Sequence, residues 1–275
     1  MTNWAAIIDA DFAVPAGASL PALTGELVAA LGDPDPARRD EQVYPVLSTW
    51  VLTGLLDEDL TALGERLTGL LADPRVQART FAALMLAVLV NRDTAAGVVE
   101  AATVLGWRDA FAAWWLTETD LRGWDGELGW LHAAAHGADL AGELGLSPRL
   151  GGADLAALLD LATARLLAPT EHVFAHQEDD RIALALAVVL TRPELTEQAA
   201  TRWLEPVRRF FEADPAPPLP AHAVNTARTL RCLYLMAARG IQPDPGEAAT
   251  YQLPHRGPVL AALGAVLHLA FPPQL

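Results

Sequence analysis

LGDPDPARRDEQVY at residues 31–44 and LADPRVQARTF at residues 71–81 share one spacing. In each, Leu stands two residues before Asp-Pro, and an arginine follows six residues after the aspartate: Asp33, Pro34 and Arg39, then Asp73, Pro74 and Arg79. Asp-Pro at a helix entry has a physical reason. The carboxylate can accept from unpaired first-turn N–H groups, and proline has no N–H to leave unpaired there. A leucine-rich helical pattern precedes each copy, Leu20–Leu31 and Leu60–Leu71. The copies lie 40 residues apart, the period of paired-helix HEAT-like repeats with an inward arginine. A looser third start is Arg192-Pro193-Glu194, with Arg202 nine residues beyond the proline.

Composition agrees with a helical array. Hydrophobic residues make up 52% of the 275, mean hydropathy is +0.23, and Ala and Leu dominate with few β-branched runs. The expected fold is all-α, a HEAT-like helical repeat (an α-solenoid or α-α superhelix), in a single domain over residues 1–275, with helices of 220–271 continuing the array. Pro45 and Pro206 are expected to end or kink helices. Gly123, Gly151-Gly152 and Gly240 mark turns, and the Pro-rich stretches 214–220 and 242–246 read as stiff loops.

Charge excludes several functions. Net charge is −15, and all 19 basic residues are arginine. Without lysine there is no Schiff-base nucleophile and no phosphate-loop lysine. The acidic balance argues against a nucleic-acid partner, because neutralising phosphates takes a basic footprint. Cys232 is the only cysteine, so no intrachain disulfide can form. The longest apolar runs, Phe81–Val90 and Ile182–Leu190, fall well short of the roughly 20 residues of a membrane span. No basic leader precedes them at the N-terminus, so the expected location is cytoplasmic, with no membrane partner.

The chemistry-bearing stretch is GWLHAAAHGADL, residues 129–140. Taken as part of one helix over 127–144, it places His132, His136, Asp139 and Glu143 within an arc of roughly 40–60°. Apolar flanks lie on both sides, Leu131, Ala135 and Ala138 on one, Ala133, Leu140 and Leu144 on the other. Three readings follow. The stripe is a hydrogen-bonded seam fixing helix register, a pocket for a small polar or anionic molecule, or a metal site built on the i,i+4 histidines. The zinc-protease pattern is excluded because Ala133 stands where its glutamate base belongs. No serine lies in a nucleophile elbow and no Gly-rich phosphate loop is present. With Ala133 in place of the base and no third histidine nearby in sequence, no bound metal is expected, and no cofactor.

Further candidates flank the stripe. Asp120 and Arg122 precede it, to cap the helix or line its mouth, and Trp130 is a candidate pocket wall beside the clustered Trp114, Trp115 and Trp124. Downstream, Glu178, Asp179 and Asp180 suit a helix N-terminus, and Arg181 leads into an all-apolar segment that must be buried. His172 and His176 repeat the i,i+4 spacing as a secondary pair. Glu178 or Arg181 is expected within side-chain reach of His132, His136 or Asp139.

These residues resemble the motifs of a bacterial family known only as a domain of unknown function. The similar motifs are Asp33, Pro34, Arg39, Asp40 and Tyr44; then Asp120, Arg122 and Gly123 leading into Gly-Trp-x-His-x3-His-x2-Asp-Leu; then Phe174, Glu178, Asp179 and Arg181. The likeness spans about residues 25–210. It implies a helical fold and a shared polar site, and carries no activity.

The functional expectation is a polar pocket for a small polar or anionic ligand. His132 or His136 would be a general base with Asp139, and Glu178, Arg181, Arg122, Asp120 and Trp130 would contact the ligand. The alternatives are a protein-interaction scaffold in which the stripe is structural, and a metal-binding enzyme.

Overall fold

The computed structural model describes residues 2–213, 218–242 and 250–271. The chain divides into two compact units, residues 1–140 and 141–275, each with its own core. The loop readings at 214–220 and 242–246 fall largely outside the described residues. Among the described residues the fold is all-α apart from one two-stranded hairpin and one isolated bridge between Ile241 and Tyr251.

The first unit opens with α1 (Trp4–Asp9) and α2 (Leu20–Ala30), capped by the side chains of Asn3 and Ser19. A short α3 (Pro36–Arg38) widens into a π-turn, Arg39–Val43, and continues as α4 (Tyr44–Leu52). Pro45 is the second residue of α4, directly after the π-turn that interrupts the helical run, in keeping with the expected break there. Next come α5 (Leu60–Leu70), the long α6 (Val76–Ala96) and α7 (Ala101–Thr117). α6 packs against α4, α5 and α7. It is buried on most of its circumference, including Phe81, Met85, Leu86, Leu89 and Val90.

Both Asp-Pro copies make the same local device. Arg39 Nη1 donates to the Asp33 carbonyl at 3.0 Å, and Arg79 Nη1 to the Asp73 carbonyl at 2.8 Å. Each guanidinium thus folds back over the turn that precedes its own helix. Arg202, of the third start, does something else: it makes an exposed pair with Asp160 at 2.8 Å, its side chain 53% exposed.

After α7 the chain leaves helix. β1 (Trp124–Asp125) pairs antiparallel with β2 (Gly129–Trp130), and only then does α8 (Ala133–Leu146) begin. The single helix expected over 127–144 is corrected here. The Asp125 carboxylate accepts from the N–H groups of Glu127 and Leu128, closing a tight turn. Gly129 follows at φ +72°, where a Cβ would lie 2.6 Å from the Pro36 side chain. A turn and a left-handed residue leave no room for helix before Ala133.

The second unit holds the rest of α8, then α9 (Gly152–Leu167), α10 (Glu178–Leu190), α11 (Glu197–Arg202), α12 (Glu205–Glu212), α13 (Ala221–Arg239) and α14 (Arg256–Ala270). Pro206, like Pro45, lies in a first helical turn, that of α12. α13 is central, packing on α9, α10 and α14. The all-apolar stretch after Arg181 is buried as expected: Ile182, Ala183 and Ala185–Leu190. Cys232 on α13 is half-buried, and burial followed by the neighbouring Asp180 carboxylate pushes its thiol up to about 12.

Candidate functional site

The site is built from the hairpin inward. Trp124 and Trp130 stand opposite each other across the two strands, rings edge-to-face at 4.7 Å, and are 47% and 41% exposed. Trp114 and Trp115, from the same sequence cluster, are instead in the core. Beneath the exposed pair runs a row of rings. Trp130 meets His132 edge-on at 4.4 Å, His132 stacks on His136 at 5.6 Å, and His136 meets the edge of Phe81 at 5.3 Å. Tyr44 closes the row against Phe81 at 6.2 Å. Both histidines are buried, so the row runs from solvent into the core.

His132 is held in an unusual backbone state. Its φ is +49°, a left-handed conformation uncommon for a side chain with a Cβ. Its N–H donates to the carbonyls of Arg122 and Gly123, and its own carbonyl accepts from His136 N–H at 2.7 Å. His132 is therefore the residue on which α8 is launched. This is why the two imidazoles keep a helix-like spacing although only one of them is helical.

The His136 Nδ1 lies 3.2 Å from the Thr80 carbonyl, which can only accept, so Nδ1 carries a hydrogen. Gly137, next along α8, admits Trp115 so closely that a Cβ there would fall 2.1 Å from its indole nitrogen. That contact fixes the depth at which His136 enters the core.

Arg39 holds the hairpin in place. It is fully buried, and Nη2 donates to the carbonyls of Leu128 at 2.7 Å and Trp130 at 3.2 Å. Its guanidinium also lies 4.7 Å over the Phe81 ring and pairs with Asp40. Burial raises the Asp40 carboxyl above its ordinary value despite the arginine. Arg79 holds the start of the same excursion through Glu118, at 2.6 Å and 3.0 Å. Burial pushes Glu118 up, but donors from Arg79, the Asp120 backbone and Trp114 outweigh it, and the carboxyl sits below its usual range.

Of the residues singled out in the sequence, His132, His136 and Trp130 come together directly. Asp139 lies one turn further along α8, half-buried. Arg122 and Asp120 pair with each other at 2.6 Å, and Arg122 also pairs with Asp125. The Arg122 guanidinium first, then its backbone N–H, holds Asp120 below the usual carboxylate range. Glu178 and Arg181 lie on α10 of the second unit. Sequence reasoning missed Phe81 and Thr80, and named Tyr44 only as a motif residue of the first copy. The signal was present, since Thr80-Phe81 directly follow Arg79 of the second repeat copy, as Asp40 and Tyr44 follow Arg39 of the first.

Among the described residues no group of three or more His, Cys, Asp or Glu side chains is placed to hold a metal ion. A cleft of about 410 Å³ opens elsewhere in the first unit, among Asp11, Phe12, Thr49, Trp50 and Leu55. No residue singled out as a site lines it.

A family model described as "Protein of unknown function (DUF2785)" matches residues 68–235, more than half of the chain. The protein belongs to the DUF2785 family. The matched DUF2785 segment contains the histidine stretch, Glu178 and Arg181, whereas Asp33–Tyr44 lies before it. Comparison with curated proteins and with solved structures returned no match. No helix of the described residues is long and apolar enough to cross a membrane.

Proposed function

We propose that the His132–His136 site binds a small polar molecule between its paired imidazoles and Trp130. The observation that supports this most is the row of rings from half-exposed Trp130 through His132 to His136, which leads from solvent to two imidazoles. Two stacked imidazoles walled by a half-exposed tryptophan suit recognition of a ligand hydroxyl or amide. A neutral ligand suits it better than an anion, because both nearby cations are engaged by carboxylates: Arg39 by Asp40, and Arg122 by Asp120 and Asp125. In an enzymatic version of this reading, His132 or His136 is the general base.

The reading includes a HEAT-like repeat architecture for the first unit, supported by the matched Asp33–Arg39 and Asp73–Arg79 devices, and a cytoplasmic location. A thermal-shift screen of neutral polar and anionic metabolites tests it. At least one neutral compound should raise the melting temperature of the native protein and fail to do so for His136→Gln and Trp130→Ala.

The second reading, a structural seam within an interaction scaffold, is favoured by the edge contact of His136 with Phe81. It takes over if no compound acts while His136→Gln still lowers the melting temperature of the unliganded protein.

A further inference from the structure

The first unit carries a cleft of about 410 Å³ that the histidine site does not use. One wall is the turn after α1, Asp11 to Val14. The other is the end of α4, Thr49 and Trp50, with the turn beyond it, Thr53 to Leu55. The volume falls in the range of small-molecule sites. Phe12, Val14, Trp50 and Leu55 give the cleft an apolar surface, and Leu55 is 44% exposed. All of these residues precede the segment 68–235 matched by the family model.

The turn is held in one shape. Asp11 and Phe12 are both left-handed, at φ +55° and +60°, a conformation uncommon for residues with a Cβ. Phe12 N–H donates back to the Ile7 carbonyl at 2.8 Å. The buried indole of Trp50 donates from Nε1 to the Phe12 carbonyl at 2.8 Å. That bond ties the two walls together, so the cleft is preformed.

Most of the donors that line it are spent. The N–H groups of Asp11, Gly54 and Leu55 donate to the carbonyls of Ile8, Val51 and Trp50, each at 3.0 Å, and Thr53 Oγ1 donates to the Thr49 carbonyl at 2.7 Å. The Asp11 carboxylate is exposed, and among the described residues it meets no hydrogen-bond donor and no cation. Asp9, two residues before it, is a second exposed carboxylate. The arginine that borders the cleft is already neutralised. Arg92, which a Cβ at Gly54 would meet at 2.5 Å, gives Nε and Nη2 to Asp57 at 2.8 Å and 2.6 Å. A negative, accepting rim beside an apolar wall selects a ligand that brings donors and positive charge. A metal ion is disfavoured, because among the described residues no group of three or more His, Cys, Asp or Glu side chains is placed to hold one.

We propose that this cleft binds a small organic ammonium with an apolar body. The ammonium N–H groups donate to the Asp11 carboxylate, and the body lies against Phe12, Val14 and Leu55.

The test is isothermal titration calorimetry of the full-length protein at neutral pH. The probes are phenethylammonium, its neutral analogue phenethyl alcohol, its anionic analogue hydrocinnamate, and methylammonium, which has the charge without the body. Phenethylammonium should bind saturably at one site per chain, and the other three far more weakly. Asp11→Asn should weaken that binding about ten-fold or more, the worth of a hydrogen bond to a charged group. Asparagine tolerates the left-handed backbone, so the melting curve of this variant should stay native. Thr53→Phe, changed at an exposed position, should block the body and abolish binding, which keeps the test decisive if Asp11→Asn does not fold. The proposal is overturned by the absence of saturable heat with phenethylammonium. Equal affinity in either folded variant overturns it too, because the amine would then sit elsewhere on a surface of net charge −15. So does equal affinity for phenethyl alcohol, hydrocinnamate or methylammonium.

Discussion

Arg39 and Arg79 perform one local task and two different distant ones. Each caps the turn before its own helix, yet Arg39 reaches two backbone carbonyls of the hairpin and a lightly supported Asp40, whereas Arg79 reaches Glu118. Glu118 also accepts from Trp114 Nε1 and from the N–H groups of Thr119 and Asp120. The consequence shows in their opposite titration. Burial wins at Asp40 and raises it, while the donor set wins at Glu118 and lowers it. A carboxylate out of water is comfortable only where several donors converge, and at Asp40 one arginine shared among carbonyls and the Trp130 N–H do not outweigh burial.

Removing the arginines should separate the two cases. Arg39→Ala removes the donor of two hairpin carbonyls and one of the donors of half-buried Asp40, and should cost about 3–5 kcal/mol by urea unfolding. Arg79→Ala should cost less, about 2–3 kcal/mol, because Glu118 keeps its other donors. Equal losses would mean that those donors contribute little.

Acid titration sharpens the same contrast. The Glu118 carboxyl is depressed when folded, so it adds stability above its unfolded value, and that stability is lost as pH falls through the folded one. Unfolding midpoints measured from pH 7 to pH 3 should therefore fall less steeply in Glu118→Gln than in the native protein. Asp40 has the opposite sign. Its raised value makes folding bind a proton, so its contribution declines as pH rises through the window just above the ordinary value of 3.8. Asp40→Asn should remove that decline. The smallest effect belongs to the divergent third start: Arg202→Ala, at an exposed pair, should change stability by less than about 1 kcal/mol.

The same contrast explains what was legible in the sequence. Helical class and the buried α10 follow from local periodicity and stand in the structure. The Asp-Pro-Arg spacing recurs as a local device but is not the helix cap it suggests: Asp35 caps α3 with Pro36 in its first turn, Arg75 is the N-cap of α6, and Pro34 and Pro74 precede their helices. The hairpin did not announce itself. Its turn depends on the Asp125 carboxylate and on Gly129 pressed against Pro36, and its anchor, Arg39, lies about ninety residues upstream. A helical wheel drawn across 127–144 nevertheless put His132 beside His136, because the His132 carbonyl begins the helix it does not belong to. The split among the tryptophans was illegible for a related reason. Trp114 and Trp115 are buried on α7, whereas Trp124 and Trp130 face each other across the hairpin and stay exposed, a pairing set by strand register.

The hydrogen bonds from Arg39 to Leu128 and Trp130 span 89 and 91 positions of chain. Contacts of such separation return nothing until a long loop has closed, and proteins that depend on them fold slowly. During synthesis, the Asp33–Arg39 turn can form as soon as it emerges, but its arginine must wait for ninety further residues before it finds its hairpin. The imidazole row is therefore among the last parts of the first unit to be completed, and a chain stalled before residue 130 carries a buried guanidinium's worth of unmet hydrogen bonds.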